Sequence, residues 1–107
     1  MSKKCNDYNY ETCLRILNGT DSNFVLGNAQ VREYPIVYCS DGFVELTGYS
    51  RGQIMSRCCS CSFLWGEKTN IDSRQRISTA LQEQTELQIE LIFHKKNGRL
   101  VKINGNL

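Results

Sequence analysis

Six cysteines occupy a chain of 107 residues, and Cys58, Cys59 and Cys61 crowd into one short stretch. Cys58-x-x-Cys61 has the spacing of half a zinc site or of a redox dithiol. A structural zinc takes four ligands, commonly from two such pairs, and the sequence holds no second pair. Cys39 and the lone His94 could join only if the fold brought them in. The redox version needs a thiol at the start of a helix that follows a strand, where its pKa is lowered. Small, buried or half-buried thiols are the better reading. His94 shares its side of a strand with Gln88 and Glu90, and spacing sets no Ser or Cys beside it, so no nucleophile and base are paired. It reads as a solvated strand histidine. Arg15, Arg51 and Arg57 read as surface charges, and Lys95-Lys96 next to Asn97-Gly98 as a charged hairpin tip that discourages edge pairing. No catalytic residue and no metal site emerge, so the chain is not read as an enzyme.

The elements that carry these residues belong to one small domain. Forty per cent hydrophobic residues, a single proline and 22% charged residues describe a folded protein. Thirteen basic against eleven acidic residues leave a net charge of +2, too weak and too evenly spread to argue for nucleic acid or an anionic membrane. The longest apolar runs, Ile36 to Cys39 and Leu91 to Phe93, fall far short of a membrane span. Lys3-Lys4 is not followed by an apolar stretch, so no secretory signal is read. The cysteines are therefore expected to be reduced thiols of a cytosolic protein.

Along the chain, residues 1–9 are polar and aperiodic. Tyr10, Cys13, Leu14 and Leu17 fall at helical spacing and predict a short amphipathic helix, stopped by Asn18-Gly19. Phe24 to Leu26 and Ile36 to Cys39 predict strands. Ser40 and Asp41 are candidate caps for a helical stretch from Phe43 to Thr47, closed by Gly48, and Ser50 caps another turn through Ile54 and Met55. Gly42, Gly48 and Gly52 divide this region into short pieces. Asp72 to Gln84 reads as a helix with Ile71, Ile77, Ala80 and Leu81 buried. Leu87, Ile89, Leu91 and Phe93 alternate with polar or outward positions and predict a strand. Asn97-Gly98 turns it into a return strand, Leu100 to Ile103. Strands at both ends of a helical middle predict an α+β domain with one antiparallel sheet.

Several runs resemble, in register, the PAS domain of ether-à-go-go-family voltage-gated potassium channels, with the Elk-like branch closest. They are Asn23-Phe24-Val25-Leu26-Gly27-Asn28-Ala29-Gln30, then Pro35 to Phe43, then Glu45-Leu46-Thr47-Gly48-Tyr49-Ser50-Arg51, then Cys59-Ser60-Cys61-Ser62-Phe63-Leu64-Trp65-Gly66. The resemblance covers roughly residues 12–99. It implies a five-stranded antiparallel sheet flanked by short helices and preceded by an amphipathic cap helix. Residues 1–19 then form the tail and cap, and 20–107 the PAS core. It also implies a cytosolic domain of a tetrameric channel that docks on the cyclic-nucleotide-binding homology domain and adjusts gating, chiefly the rate of closure. Arg51 and Asn28 match positions facing that partner, and Phe24 and Tyr38 match an apolar docking patch on the sheet. Leu14 and Leu17 of the cap helix would cover part of the sheet or the partner. The plainer expectation for Phe24 and Tyr38 is core packing.

Two departures accompany the resemblance. The family's longer N-terminal tail is replaced by residues 1–9. After Gly98 the family continues into a long strand, a turn and a final strand, whereas residues 101–107 are short and polar, and Asn104-Gly105-Asn106 is poor strand material. The last strand is therefore expected to be missing, which predicts an open sheet edge and self-association of the isolated chain.

The rival reading is a sensor holding flavin or another small ligand. In light-sensing LOV relatives a cysteine attacks the flavin within an Asn-Cys-Arg-Phe-Leu-Gln motif, and Ser60-Cys61-Ser62-Phe63-Leu64-Trp65 aligns with it. Cys61, Phe63 and Leu64 keep their places. The polar partners of the flavin have become Ser60, Ser62 and Trp65, and further ones fall at Phe93 and Ile103. No cofactor is expected.

Overall fold

Apolar alternation decides the strands and short polar caps decide the helices. The structure is a computed structural model that describes residues 11–17 and 23–107. In chain order it has β1 (Glu11–Ile16), β2 (Asn23–Asn28), β3 (Ile36–Cys39), α1 (Asp41–Thr47), α2 (Arg51–Ile54), a 3₁₀ turn (Ser62–Leu64), α3 (Ile71–Glu83), β4 (Gln88–His94) and β5 (Leu100–Asn106). The strands form one five-stranded sheet in the order β3-β2-β1-β5-β4, antiparallel throughout. Its inner face carries Leu14, Ile16, Val25, Cys39, Ile89, Leu91, Phe93 and Ile103, all buried in the core with Phe43, Ile54, Leu64, Ile77 and Leu81 from the helical layer.

The expected cap helix is corrected: its described part, Glu11–Ile16, is a strand. A helical stripe would bury Leu14 and Leu17 together. Instead Leu14 and Ile16 are each 2% exposed and Leu17 is 51% exposed, the period-two pattern of a strand with one face on the core. Its pairing with β2 runs without a break from Glu11–Asn28 to Ile16–Asn23. The stop expected at Asn18-Gly19 and the tail of residues 1–9 lie outside the described residues.

As expected, no strand follows β5 among the described residues; the place beside it is taken by β1. β1 sits between β2 and β5, pairing Arg15 with Asn106 and Ile16 with Gly105, and the Leu17 amide donates to the Asn104 carbonyl at 2.7 Å. The return strand extends through Asn104-Gly105-Asn106 to pair with all of β4, Gln88 to His94. β1 thus covers the far end of β5, at Asn104, Gly105 and Asn106, while β3 and β4 remain the edge strands of the sheet.

The helices follow their caps. Ser40 Oγ accepts from the Phe43 amide, and Gly48 closes α1 in the left-handed region at φ 81°, where a residue without Cβ costs least. Ser50 and Gln53 form a reciprocal capping box on α2. Gly42 and Gly52 lie inside these helices and divide nothing. Asn70 caps α3, whose buried residues are Ser73, Ile77, Ala80 and Leu81. Ile71, expected in that stripe, is 75% exposed, because it lies on the side of the helix opposite the buried Ser73 and Ala80.

Candidate interaction surface

On the outer face of the sheet, side chains alternate away from the core, and the two ends differ. At the β2–β3 end, Leu26 pairs with Tyr38, and the Phe24 and Tyr38 rings lie 5.7 Å apart, tilted by 38°. Tyr38 is 47% exposed, so the pair presents aromatic surface to solvent. At the β4–β5 end the same face carries Glu90 and Lys102, whose charged groups lie 3.6 Å apart. Phe24 and Tyr38 thus share a patch, and packing in the core does not account for Tyr38.

The other residues expected at an interface are placed unequally. Arg51 stands beside the end of β3, donating from Nη2 to the Cys39 carbonyl at 3.0 Å and to Asp41 Oδ1 at 2.6 Å. The hydrogen bond to Asp41 is the chief reason its pKa is raised. The guanidinium is held at the end of β3 and keeps about half its surface exposed (47% for the side chain). Asn28 lies at the opposite end of β2, where its Oδ1 accepts from the Gln30 amide at 3.0 Å; that is a local turn bond. Leu14 faces the core and cannot meet a partner, which corrects its assignment. Leu17 is exposed just beyond β1, in an extended segment and not in a cap helix.

Beneath the β2–β3 end lies a belt of thiols. Cys39, Cys59 and Cys61 are buried and Cys58 is half-buried, all free. Burial pushes Cys59 up to about 12, with the neighbouring Cys58 adding to it, and burial pushes Cys61 well above the ordinary range, with Cys59, Cys58 and Cys39 adding to it. A thiol held neutral is a poor nucleophile and a poor ligand, and among the described residues no cluster of His, Cys, Asp and Glu is placed to hold a metal. Gly27 is pressed against this belt: a Cβ there would come within 2.7 Å of Cys59.

The residues around Cys61 do not fit a flavin. Phe93 and Ile103, at the positions of its hydrogen-bond partners, are 1% and 0% exposed and fill the core. Trp65 stands half-buried with Arg74 over its ring at 5.8 Å. An isoalloxazine ring would find apolar side chains where its polar edge needs donors and acceptors, and leaving such groups unpaired costs binding.

The sequence profile of the PAS domain family matches residues 16–106. The chain belongs to the PAS family. Among solved structures, the PAS domain of the fruit-fly ELK potassium channel is 56% identical with a TM-score of 0.75, covering 79% of this chain and 69% of that one. The human voltage-gated inwardly rectifying potassium channel KCNH3 is 53% identical over 89 residues, which are 82% of this chain but only 8% of that channel. The light-state structure of the blue-light photoreceptor Aureochrome1 LOV shares the fold at a TM-score of 0.70 and 30% identity, covering 78% of this chain and 75% of that one. Within the PAS family the sequence goes with the domains of ether-à-go-go-type potassium channels. Among the described residues no helix is long and apolar enough to cross a membrane.

This PAS domain also uses residues that no motif announced. Thr69 Oγ1 donates to the Ile92 carbonyl at 2.6 Å and Ser73 Oγ to the Glu90 carbonyl at 3.5 Å. These hydroxyls cover carbonyls on the free edge of β4, a side-chain answer to an edge strand's exposed backbone. His94, expected to be solvated, is half-buried beside Gly66, with Nε2 accepting from the Lys68 amide at 3.3 Å. Nothing in local spacing signals either contact.

Proposed function

We propose that this PAS domain regulates a voltage-gated potassium channel through protein contacts, performing no chemistry. In this reading it docks on the channel's cyclic-nucleotide-binding homology domain, from the cytoplasmic side of a tetrameric channel, and changes how fast the channel closes. The carrying observation is the Phe24–Tyr38 ring pair on the outer sheet face, with Tyr38 47% exposed and Arg51 fixed at the end of the same β3 strand. Aromatic and arginine side chains are the composition of an interface hot spot. Docking that is tighter in one gating state than in another biases the channel towards that state by the difference in binding free energy. The similarity to channel PAS domains supports the choice of partner.

The test is a recording of closing rates in an Elk-type channel that carries this domain. Tyr38→Ala and Arg51→Ala are expected to shift the closing rate towards that of a channel lacking the domain, with the purified variants still folded by circular dichroism. Closing rates identical to the unaltered channel in both variants would remove the sheet face from gating.

A further inference from the structure

On the helical layer, away from the sheet face, four side chains from distant parts of the chain form a continuous row. The Arg57 guanidinium stands 5.3 Å from the centre of the Phe63 ring. Phe63 meets Tyr49 edge to face, with centroids 5.5 Å apart at 80°. Lys96 Nζ stands 6.0 Å from the centre of the Tyr49 ring. The row therefore reads cation, ring, ring, cation. Both cations are also tied to one residue of α2: Arg57 Nε donates to the Gln53 carbonyl at 2.9 Å and Lys96 Nζ to Gln53 Oε1 at 3.4 Å. Gln53 is itself fixed, because its Oε1 caps the Ser50 amide at 3.0 Å. The hairpin tip is held there as well, by the Lys96 amide donating to the Thr47 carbonyl at 2.9 Å.

What this row lacks is negative charge. The ion pairs formed among the described residues are Arg51–Asp41 and Lys102–Glu90, and neither Arg57 nor Lys96 takes part in one. Both keep exposed side chains, while Tyr49 and Phe63 are half-buried with part of each ring facing out. Aromatic faces and a neutral amide hold the two cations in place without neutralising them. Such cations have already lost part of their rotamer freedom, so a partner that pairs them loses less entropy on binding.

We propose that this row is a docking site for an acidic peptide segment of a protein partner, with carboxylates meeting Arg57 and Lys96 and apolar side chain lying over Tyr49 and Phe63. An arginine fork favours a planar carboxylate. A membrane surface is the poorer match, because electrostatic lipid binding calls for about four to eight clustered basic residues, and this row holds only Arg57 and Lys96. The site is separate from the sheet face, so its failure would leave the proposed docking through Phe24 and Tyr38 standing, and the reverse.

The test titrates the 107-residue chain with a fluorescent peptide rich in Glu, Asp and Leu and follows anisotropy, beside a control peptide with Gln and Asn in place of the acids. The acidic peptide is expected to saturate the domain, the neutral one to bind at least about tenfold more weakly, about 1.4 kcal/mol. Arg57→Gln with Lys96→Gln, in a domain whose circular dichroism is unchanged, is expected to cost a similar factor of about ten. Lys102→Gln, on the far half of the sheet, is expected to change affinity less than about twofold. Shifts of the Tyr49 and Phe63 ring resonances should accompany binding. No saturable binding, binding indifferent to the Arg57 and Lys96 substitutions, or an equal loss with Lys102→Gln would overturn the proposal. So would binding to phosphatidylserine vesicles, lost with the same two substitutions, while the peptide fails to bind.

Discussion

The two ends of the sheet are finished in different ways. β4 and β5 pair continuously from Gln88–Asn106 to His94–Leu100. Their outer edge is bonded by Thr69 and Ser73, their outer face carries a charge pair, and Phe93 plugs the core beneath. β3 is shorter, and its pairing with β2 is interrupted by a register shift between Leu26 and Gly27. Thiols lie under this end, and it leaves Tyr38 and Val37 exposed at 47% and 45%. The β4–β5 end bonds part of its edge and pairs charges on its outer face, with Leu100 at the strand start 50% exposed; the β2–β3 end leaves two adjacent apolar side chains, Val37 and Tyr38, uncovered.

The comparison can be broken most forcefully in the core. Phe93→Ala, which empties a fully buried site, is expected to cost about 3–5 kcal/mol, whereas Tyr38→Ala should change fold stability by less than about 0.5 kcal/mol. Urea melts of both variants measure the contrast, and comparable losses would mean that Tyr38 is core after all.

A second contrast lies in pH. Cys59 is neutral in the folded domain up to about 12, against an ordinary value of 9.0, and Cys61 is raised in the same direction. Above pH 9 the unfolded chain loses these protons and the folded one keeps them, so this stabilisation is complete below that pH and declines as pH climbs towards 12. The decline is about 1.4 kcal/mol per pH unit for each thiol. Lysines and tyrosines titrate there as well, so the readout is the difference between wild type and Cys59→Ala, which should hold its stability better across that window. Parallel curves would mean the thiols are not buried as described.

The edge bonds of the β4–β5 end make a smaller effect. Thr69→Val keeps the shape and removes the hydroxyl that reaches the Ile92 carbonyl, and about 1 kcal/mol should be lost, measured by the denaturant midpoint. Smallest is Lys102→Ala on the outer face, expected to stay within about 0.5 kcal/mol because an exposed ion pair contributes little.

Much of this was legible in the residues, and the errors are instructive. Alternation gave β4 because Ile89, Leu91 and Phe93 all face the core, and Ser40, Gly48 and Ser50 marked the helix ends by their own chemistry. The first strand was misread because Tyr10, Cys13, Leu14 and Leu17 also satisfy a helical period, and in so short a segment the two periods compete. Leu14 and Ile16 decide it only once β2 and β5 lie on either side. Asn104-Gly105-Asn106 shows the reverse case, a poor strand sequence held extended by partners on both sides. Of the surface, the Phe24–Tyr38 patch was readable through resemblance, but the row from Arg57 to Lys96 was not, because its four residues meet only in the fold.

The most direct test of the sheet-face account is a calorimetric titration of the homology domain with this PAS domain in three forms: unaltered, Phe24→Ser with Tyr38→Ser, and Glu90→Ala with Lys102→Ala. The account predicts that the aromatic pair of substitutions weakens binding by at least about 2 kcal/mol, or about thirtyfold, and that the charge pair leaves it nearly unchanged. Equal affinities for all three forms, or a loss confined to the Glu90 and Lys102 form, would contradict it.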